Sequence, residues 1–370
     1  MKLWYLPLEP YQERYTWFMS CKDGWAEDNF KRYNVNFERI EGDTLGNTIT
    51  TGVVLDAYGR SYYSMSQINK LILKIRSGEV KDGDVIYTED FWQPGIEALF
   101  YIRHLTHIKF KIGCFFHAQS VDTTDFTYPM RKWIRPMEQG MVKAYDYIFV
   151  TSYILKELMQ KHYEYECRNV YVVGLPYNSK KLLSQLRFPS DVYKTSQEHK
   201  QPYVLFSSRF DKEKNPHFFM DLVEACPDIQ FKIVRPRKNI SNDKAIVERL
   251  QYIMKHCKNL EQVDTSYKMA YYNLLYHAKV QFNCAKQDWV SWTILEAITF
   301  GCNPLYPIWK DFPWVLKDYP EHLYGNVSLS GASKRLRLLL QKPFDESMMG
   351  IVDHHDASWH TYLERMRFRV

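Results

Sequence analysis

Short apolar runs alternate with longer amphipathic stretches along the chain, and this alternation predicts parallel α/β layers. The predicted strands are residues 84–89, 109–116, 147–151, 169–173, 203–207, 230–234 and 279–283. The predicted helices are residues 95–103, 153–162, 216–224, 242–256, 267–276, 293–300 and a basic amphipathic one at 357–367. This order is typical of doubly wound domains, whose ligands bind at the carboxyl ends of the strands.

Three single residues mark helix ends. Ser152 is a predicted N-cap, Pro216 suits the first turn of a helix, and Gly301 is a predicted C-terminal cap.

A polar stretch at residues 178–202 interrupts the alternation of strands and helices. We interpret it as a linker between an acceptor-binding domain, 1–177, and a nucleotide-binding domain, 203–355. The terminal helix, 356–370, is expected to pack back on the first domain.

Composition narrows the class of protein. The 370 residues are 45% apolar and 25% charged, which is ordinary for globular proteins and excludes a disordered chain. No apolar run reaches the 18 residues of a membrane helix, so we expect no membrane insertion. Seven cysteines without a C-x-x-C pair favour reduced thiols, and hence a cytoplasmic location.

Charge and aromatic content indicate which classes of partner suit the chain. The net charge is +6, which is compatible with a polyanionic partner. Aromatic residues make up 16% of the chain. Most are expected in the core, although such abundance also suits stacking against bases or sugars.

A loop and the helix after it, residues 283–301, carry the most informative pattern. Asp288 follows a predicted strand, and Glu296 lies eight positions later inside the helix. The helix start near Trp292 and Thr293 offers amides to an anionic group. The two acids can then hold hydroxyls on either side of that anion, as a sugar nucleotide requires. A solvated loop acid and a surface helix acid are the alternative.

A second segment, residues 207–215, comes directly after the strand at 203–207. Arg209 and Lys214 stand at the strand end, where two cations can hold a diphosphate and neutralise its charge as it leaves. An exposed charge run is the alternative. The order and shared substrate of the two segments make the joint interpretation stronger than either part.

Together these segments resemble the retaining GT-B glycosyltransferases of the large family-four type. Residues 209–215, RFDKEKN, are similar to its R-x-x-x-E-K-[GN] phosphate segment. Asp288 and Glu296 are similar to its [E/D]-x7-E motif, which continues as E-A-x-x-x-G through Gly301. Residues 145–152 resemble its strand–helix junction. The resemblance implies a GT-B fold, with two Rossmann-like doubly wound domains facing a central cleft.

The resemblance also implies roles for the matching residues. Glu296 would bind the ribose and Asp288 the hydroxyls of the donor sugar, while Arg209 and Lys214 would hold the diphosphate. His117 is similar to a strand-end histidine that contacts the donor sugar, and it joins Asp288, Arg209 and Lys214 in the implied catalytic set. The remaining implied donor-binding residues are Ser291, Trp292, Thr293 and Arg235. The co-substrate would be a nucleotide-diphosphate sugar, a UDP-sugar in our interpretation, and no cofactor is expected.

The chain departs from the family pattern at three places. Residues 7–17 replace a glycine-rich loop, Val290 and Ser291 replace a Phe-Gly pair, and residues 235–239 replace a glycine pair. Arg235 could therefore contact donor phosphate or an anionic acceptor. A solvated basic turn is the alternative.

The first hundred residues decide the acceptor, since the family holds it in the N-terminal domain. They carry many aromatic residues with cations among them, as a base flipped from a duplex requires. The PLEPYxxRYT start at 7–16 resembles bacteriophage glycosyltransferases that decorate 5-hydroxymethyl pyrimidines, so we expect double-stranded DNA as partner. The predicted acceptor-binding residues are Arg14, Tyr15, Thr16, Trp17, Glu89 and Asp90.

The family implies transfer with retention, in which the leaving phosphate helps to remove the acceptor's proton. An inverting scheme would instead need a base such as Glu89 or Asp90. Asp82-Gly-Asp84 matches a metal-binding D-x-D but is predicted to be a tight turn. His354, His355, Asp356 and His360 are predicted to form a surface cluster, so no metal is expected.

Three hypotheses follow. The first is a sugar transferase acting on modified phage DNA, and the second is a transferase of cell-surface polysaccharide or lipid-linked glycan with the same fold. The third is a non-catalytic nucleic-acid-binding protein that has kept the fold.

Overall fold

A computed structural model describes residues 1–9, 17–45, 57–125, 127–235, 241, 243–265, 268–325 and 328–370. These residues form two compact units. The first unit comprises residues 1–177 and 355–370, and the second comprises residues 178–354.

A six-stranded parallel sheet forms the centre of the first unit, with its strands in the order β2-β1-β3-β4-β5-β6. The strands are β1 (Leu3–Leu6), β2 (Phe37–Arg39), β3 (Val85–Thr88), β4 (Lys111–Phe115), β5 (Tyr147–Val150) and β6 (Val170–Val172). The order reverses between β1 and β3, so the loops that follow these strands border a crevice at the carboxyl edge.

The second unit has another six-stranded parallel sheet, in the order β12-β11-β10-β7-β8-β9. Its strands are β7 (Gln201–Phe206), β8 (Gln230–Arg235), β9 (Leu260–Asp264), β10 (Ala278–Phe282), β11 (Asn303–Pro307) and β12 (Leu323–Tyr324). Counted within the unit this is the 3-2-1-4-5-6 arrangement of the dinucleotide-binding fold. Its order reverses between β7 and β10.

Helices connect the strands of both sheets. In the first unit they are α1 (Trp17–Ser20), α2 (Trp25–Arg32), α3 (Ala57–Arg76), α4 (Ile96–Thr106), α5 (Arg131–Ala144), α6 (Tyr153–Tyr163) and α16 (Ser358–Arg365). In the second they are α7 (Ser179–Leu186), α8 (Val192–Thr195), α9 (Pro216–Ala225), α10 (Lys244–His256), α11 (Lys268–His277), α12 (Trp292–Thr299), α13 (Phe312–Val315) and α14 (Leu329–Gln341). Helix α15 (Met349–Asp356) contains the boundary between the units.

The seven predicted strands are all present, and a central one such as Val85–Thr88 is buried at every residue, as expected inside a parallel sheet. The predicted caps are confirmed: Ser152 accepts a hydrogen bond from the amide of Leu155 at 3.2 Å, and Pro216 begins α9. Gly301 follows α12 with φ of +64°, and a Cβ there would lie 2.4 Å from the carbonyl oxygen of Tyr193. Only glycine fits that position.

Aromatic side chains fill the interior of both units, as the preferred interpretation of the composition predicted. In the second unit the ring of Phe206 stacks on that of Phe219 with 4.1 Å between centroids. In the first unit α16 places Tyr362 against Phe149, with 4.3 Å between centroids, and both side chains are fully buried. The stretch 178–202, interpreted above as a linker, contains α7 and α8 and belongs to the second unit.

Two smaller expectations concern residues that could be mistaken for metal ligands. Residues 82–83 form the predicted tight turn, and the Asp84 carboxylate accepts hydrogen bonds from the amide of Lys2 at 2.8 Å and the indole of Trp4 at 3.1 Å. The predicted surface cluster of histidines is wrong for His355. That side chain is buried, and its Nδ1 accepts a hydrogen bond from the amide of Leu175 at 2.9 Å.

Candidate functional site

The loops after β7 and β10 lie side by side at the carboxyl edge of the second sheet. These two strands are neighbours, and the strand order reverses between them. In open α/β sheets this switch point is where ligands bind. The two segments that the sequence singled out, residues 207–215 and 283–301, are therefore brought together by the topology.

Lys214 and Asp288 form the ion pair that joins the two loops. The Lys214 ammonium donates to Asp288 Oδ1 at 2.9 Å and to the Gln287 carbonyl at 2.8 Å. Asn283, at the end of β10, donates through Nδ2 to Asp288 Oδ2 at 3.4 Å. Only 13% of the lysine side chain and 23% of the aspartate side chain are exposed. A predicted cation and a predicted carboxylate thus share one largely desolvated position.

Arg209 is oriented by acids of its own loop. Its guanidinium contacts Asp211 at 2.6 Å and Glu213 at 3.0 Å, and half of the side chain is exposed. The loop then makes a short 3-10 turn and reaches Asn215 in the left-handed region, with φ of +55°. Arg209 and Lys214 therefore pair with different acids. A bound diphosphate would have to compete with Asp211 and Glu213 for the Arg209 guanidinium.

Backbone contacts fix the loop after β10. The amides of Lys286 and Gln287 donate to the carbonyl oxygen of Glu213, at 2.8 and 3.3 Å. The amide of Val290 donates to the fully buried Asp311 carboxylate at 3.1 Å. Asp288 therefore lies in a loop whose backbone is hydrogen-bonded on both sides of it. Asp311 was not predicted from the sequence.

The start of α12 supplies its own cap. Ser291 Oγ accepts a hydrogen bond from the Thr293 amide at 3.3 Å, and Thr293 Oγ1 lies 2.9 Å from the hydroxyl of Tyr306. Burial raises the pKa of Tyr306 well above its usual value, and the hydrogen bond to Thr293 opposes this. Ser291, Trp292 and Thr293 are half-buried, so the predicted helix start lies at the surface of the switch point.

Glu296 is fully buried, which excludes the surface-acid alternative for this residue. Its Oε1 accepts from the hydroxyl of Tyr272 at 2.7 Å and its Oε2 from that of Tyr271 at 2.8 Å. Burial, followed by the charge of Glu296, raises the pKa of Tyr271, so this phenol remains a donor. Both oxygens of the Glu296 carboxylate are therefore engaged within the protein. The tyrosine pair on α11 was not predicted.

The first unit places a second set of predicted residues at the ends of β3 and β4. His117 is half-buried, and its Nε2 donates to the carbonyl oxygen of Glu89 at 2.9 Å. The Asp90 carboxylate accepts from Arg60 at 3.1 Å and from Gln119 at 3.0 Å. The structure thus brings three predicted residues, His117, Glu89 and Asp90, to one edge of the sheet.

Glu89 is enclosed, with 1% of its surface exposed. Its carboxylate accepts hydrogen bonds from the hydroxyls of Tyr5 and Ser20. Burial raises the pKa of Glu89 to about 7, although these hydrogen bonds oppose the shift. Both oxygens are engaged, so contact with an acceptor would require this hydrogen-bond network to open. The role of Glu89 as acceptor contact or base stays a prediction.

Several predicted residues fall outside this description. Arg14, Tyr15 and Thr16 lie outside the described residues, as do the side chains of Trp17 and Arg235. Across the described ranges, no three His, Cys, Asp or Glu side chains lie close enough to share a metal ion. None of the helices in that part of the chain combines the length and apolar character needed to cross a bilayer.

Solved structures share this architecture over nearly their whole length. A structure from E. coli described as trehalose-6-phosphate bound with UDP-2-fluoro glucose matches with a TM-score of 0.68, at 10% identity, over 100% of both chains. The chain has the GT-B fold. A trehalose-6-phosphate synthase studied for glycosyl transfer with retention matches with a TM-score of 0.65, at 10% identity, over 100% of both chains. The sucrose-phosphate synthase of Thermosynechococcus elongatus matches with a TM-score of 0.64, at 14% identity, over 99% of this chain and 94% of that one.

No family model and no curated protein matches the sequence. The GT-B fold and the two Rossmann-like domains expected from the motifs are therefore confirmed by the architecture rather than by sequence relatives.

Proposed function

We propose that this chain is a glycosyltransferase that moves a sugar from a nucleotide-diphosphate sugar, a UDP-sugar, to a hydroxyl acceptor. The observation that carries the proposal is the Lys214–Asp288 ion pair at the switch point of the second sheet. A cation and a carboxylate in one partly desolvated position suit a substrate with a diphosphate beside sugar hydroxyls. The UDP-2-fluoro glucose bound by the E. coli protein of the same fold supports this choice of donor.

Each residue of the site has a role in the proposed reaction. The acceptor hydroxyl oxygen attacks the anomeric carbon from the face that the diphosphate leaves, while the bond from that carbon to the diphosphate oxygen breaks. The electron pair leaves with the diphosphate, whose charge Lys214 and Arg209 stabilise. Asp288 accepts hydrogen bonds from the donor sugar, and Glu296 accepts them from the ribose. The proton of the acceptor passes to an oxygen of the leaving phosphate, and the configuration is retained. No metal or cofactor takes part.

The acceptor is proposed more finely as a 5-hydroxymethyl pyrimidine flipped out of double-stranded DNA. This rests on the aromatic residues and interspersed cations of the first hundred residues and on the net charge of +6 of the whole chain. The setting would be the cytoplasm of a bacterial host. A glycan or lipid-linked acceptor is the competing outcome.

The test is to incubate the protein with hydroxymethylated duplex DNA and several nucleotide sugars, then digest the DNA and weigh the nucleosides. A mass increase of one sugar supports the proposal, and unchanged nucleosides with every donor exclude DNA as acceptor. Release of UDP without any transferred sugar would point to another acceptor.

Lys214→Ala tests the donor side of the same reaction. Removing a group that stabilises transition-state charge costs about 10²- to 10³-fold in rate. Lys212→Ala is the matched control, because Lys212 is 82% exposed and pairs with Asp243 at 3.1 Å instead of reaching the second loop. Equal rates in the two variants would exclude the proposed role of Lys214.

A further inference from the structure

A basic groove of about 620 Å³ lies in the first unit, apart from every residue used above. It is bordered by helix α5, the 3-10 turn that precedes α5, and the end of α6. Among its lining side chains are Tyr128, Arg131, Lys132, Arg135, Gln139 and His162. We call it the α5 groove. None of its lining residues is acidic.

The cations of the α5 groove are available to a ligand. Among the described residues neither Arg131 nor Lys132 forms an ion pair, and both are exposed. Arg131 is held at the rim by Tyr128, because its guanidinium lies 4.2 Å from the centre of that ring and donates to the Tyr128 carbonyl at 3.2 Å. This contact orients the guanidinium without neutralising its charge.

Arg135 has one weak partner and one unused donor. Its guanidinium pairs with Glu164 at 2.9 Å, and 40% of the arginine and 77% of the glutamate side chain are exposed, so the pair contributes little. Its Nε is buried and has no hydrogen-bond partner within the described ranges.

Two acids of the preceding loop, Asp122 and Asp125, are bonded to that loop and do not line the groove. Asp122 accepts from the amide and hydroxyl of Thr124, at 2.9 and 2.7 Å. Asp125 likewise accepts from the amide and hydroxyl of Thr127, at 2.8 and 2.7 Å. Both carboxylates are buried and fix the loop that leads into α5.

The spacing of the cations favours a row of phosphates over a single one. Arg131 and Arg135 are one helical turn apart, which is roughly 6 Å along the axis. Successive phosphates of one B-DNA strand are about 3.4 Å apart along the duplex axis. With α5 aligned along the duplex axis, the two guanidiniums would span about two such steps of one strand.

We propose that the α5 groove binds consecutive phosphates of a nucleic-acid strand. Val121, which also lines the groove, stands four residues after His117 at the carboxyl edge of the first sheet. A nucleic-acid strand bound in the groove would pass the carboxyl edge of the first sheet, where the proposed acceptor binds. The choice of nucleic acid as the ligand rests on the acceptor class proposed above.

The test is binding of a short fluorescein-labelled DNA duplex, measured by anisotropy without donor in a salt series from about 50 to about 200 mM. The variant carries Arg131→Ala, Lys132→Ala and Arg135→Ala. Each lost phosphate contact lowers the salt slope, log K against log salt, by about 0.9, so the slope is expected to fall by roughly 2 to 3. If the triple variant misfolds, the single variant Arg131→Glu replaces it, because Arg131 is exposed. The salt slope of this variant should also fall.

The matched control removes three charges elsewhere in the same unit. It carries Arg76→Ala, Lys81→Ala and Lys109→Ala, all exposed and at the amino edge of the first sheet. A control that loses as much affinity as the groove variant would overturn the inference, since net charge alone would then explain binding. So would groove-dependent binding of inorganic phosphate, or of phosphatidylglycerol vesicles, in preference to the duplex.

The binding assay separates this inference from the proposed function. Groove-dependent duplex binding with no sugar transfer would leave the inference standing and exclude the DNA acceptor as a substrate. Transfer to duplex DNA by a groove variant that binds as tightly as the unmodified protein would overturn the inference and leave the function standing.

Discussion

Replacing Glu89 by glutamine should change how the stability of the protein depends on pH. The Glu89 carboxyl has a pKa of about 7 in the folded chain against a usual value near 4.5, because it is buried between Tyr5 and Ser20. At about 1.4 kcal/mol for each pH unit, this difference corresponds to about 3 kcal/mol of folding free energy. The side chain is 1% exposed, so solvent screening does not reduce this value appreciably.

The sign follows from where the proton is bound. Below pH 4.5 Glu89 is protonated in both states, and its contribution to stability is complete. Between pH 4.5 and about pH 7 the unfolded chain releases this proton while the folded chain keeps it, so stability falls as pH rises. Above pH 7 both states are ionised and this contribution is constant. Glutamine has no proton to release, so the variant lacks this fall.

Urea unfolding followed by circular dichroism at several pH values measures the effect. The free energy of unfolding of Glu89→Gln minus that of the unmodified protein should rise by about 3 kcal/mol between pH 4.5 and pH 8. Glu157→Gln is the control, because Glu157 is exposed on α6. A difference that stays constant with pH for Glu89→Gln would refute the reasoning.

Two further predictions concern the second unit. Tyr272→Phe removes one of the two hydroxyls that donate hydrogen bonds to the buried Glu296 carboxylate. The binding of the sugar nucleotide, measured by calorimetry, should weaken by about 1 to 3 kcal/mol. Tyr276→Phe, on the same helix, is the control and should leave this binding unchanged. Donor binding unchanged by Tyr272→Phe would count against Glu296 as a ribose contact. Asp311→Ala removes the acceptor of the Val290 amide, so hydrogen exchange at that amide should become faster and the protein should lose about 1 to 3 kcal/mol of stability. Unchanged exchange at Val290 would mean that the loop does not depend on Asp311.

Long apolar runs made the fold predictable. Val85–Thr88 is buried at every residue, as its run of apolar positions indicates for a central parallel strand. The short edge strand β2 was not predicted, because three residues of mixed polarity give no period. Helix α5 was not predicted either. It contains Pro136 and Gly140, and both residue types argue against a helix on propensity alone.

The site was predictable in its location and less so in its contacts. Strand order decides which loops meet, so the proximity of Lys214 and Asp288 could be inferred once a doubly wound sheet was assumed. The pairing of Arg209 with Asp211 and Glu213 could not, since side-chain choices within a loop depend on its local backbone. The burial of Glu296 beneath Tyr271 and Tyr272 depends on how α11 packs on α12, which no local pattern encodes.

The return of the chain to its first unit has a consequence for synthesis on the ribosome. Trp359 and Tyr362 of α16 are buried against rings of the first unit, among them Phe30 and Phe149. Loss of such large buried side chains typically costs about 3 to 5 kcal/mol each. During synthesis the first unit therefore lacks part of its core until residues 355–370 have been made. All residues of the second unit, 178–354, are made before that point.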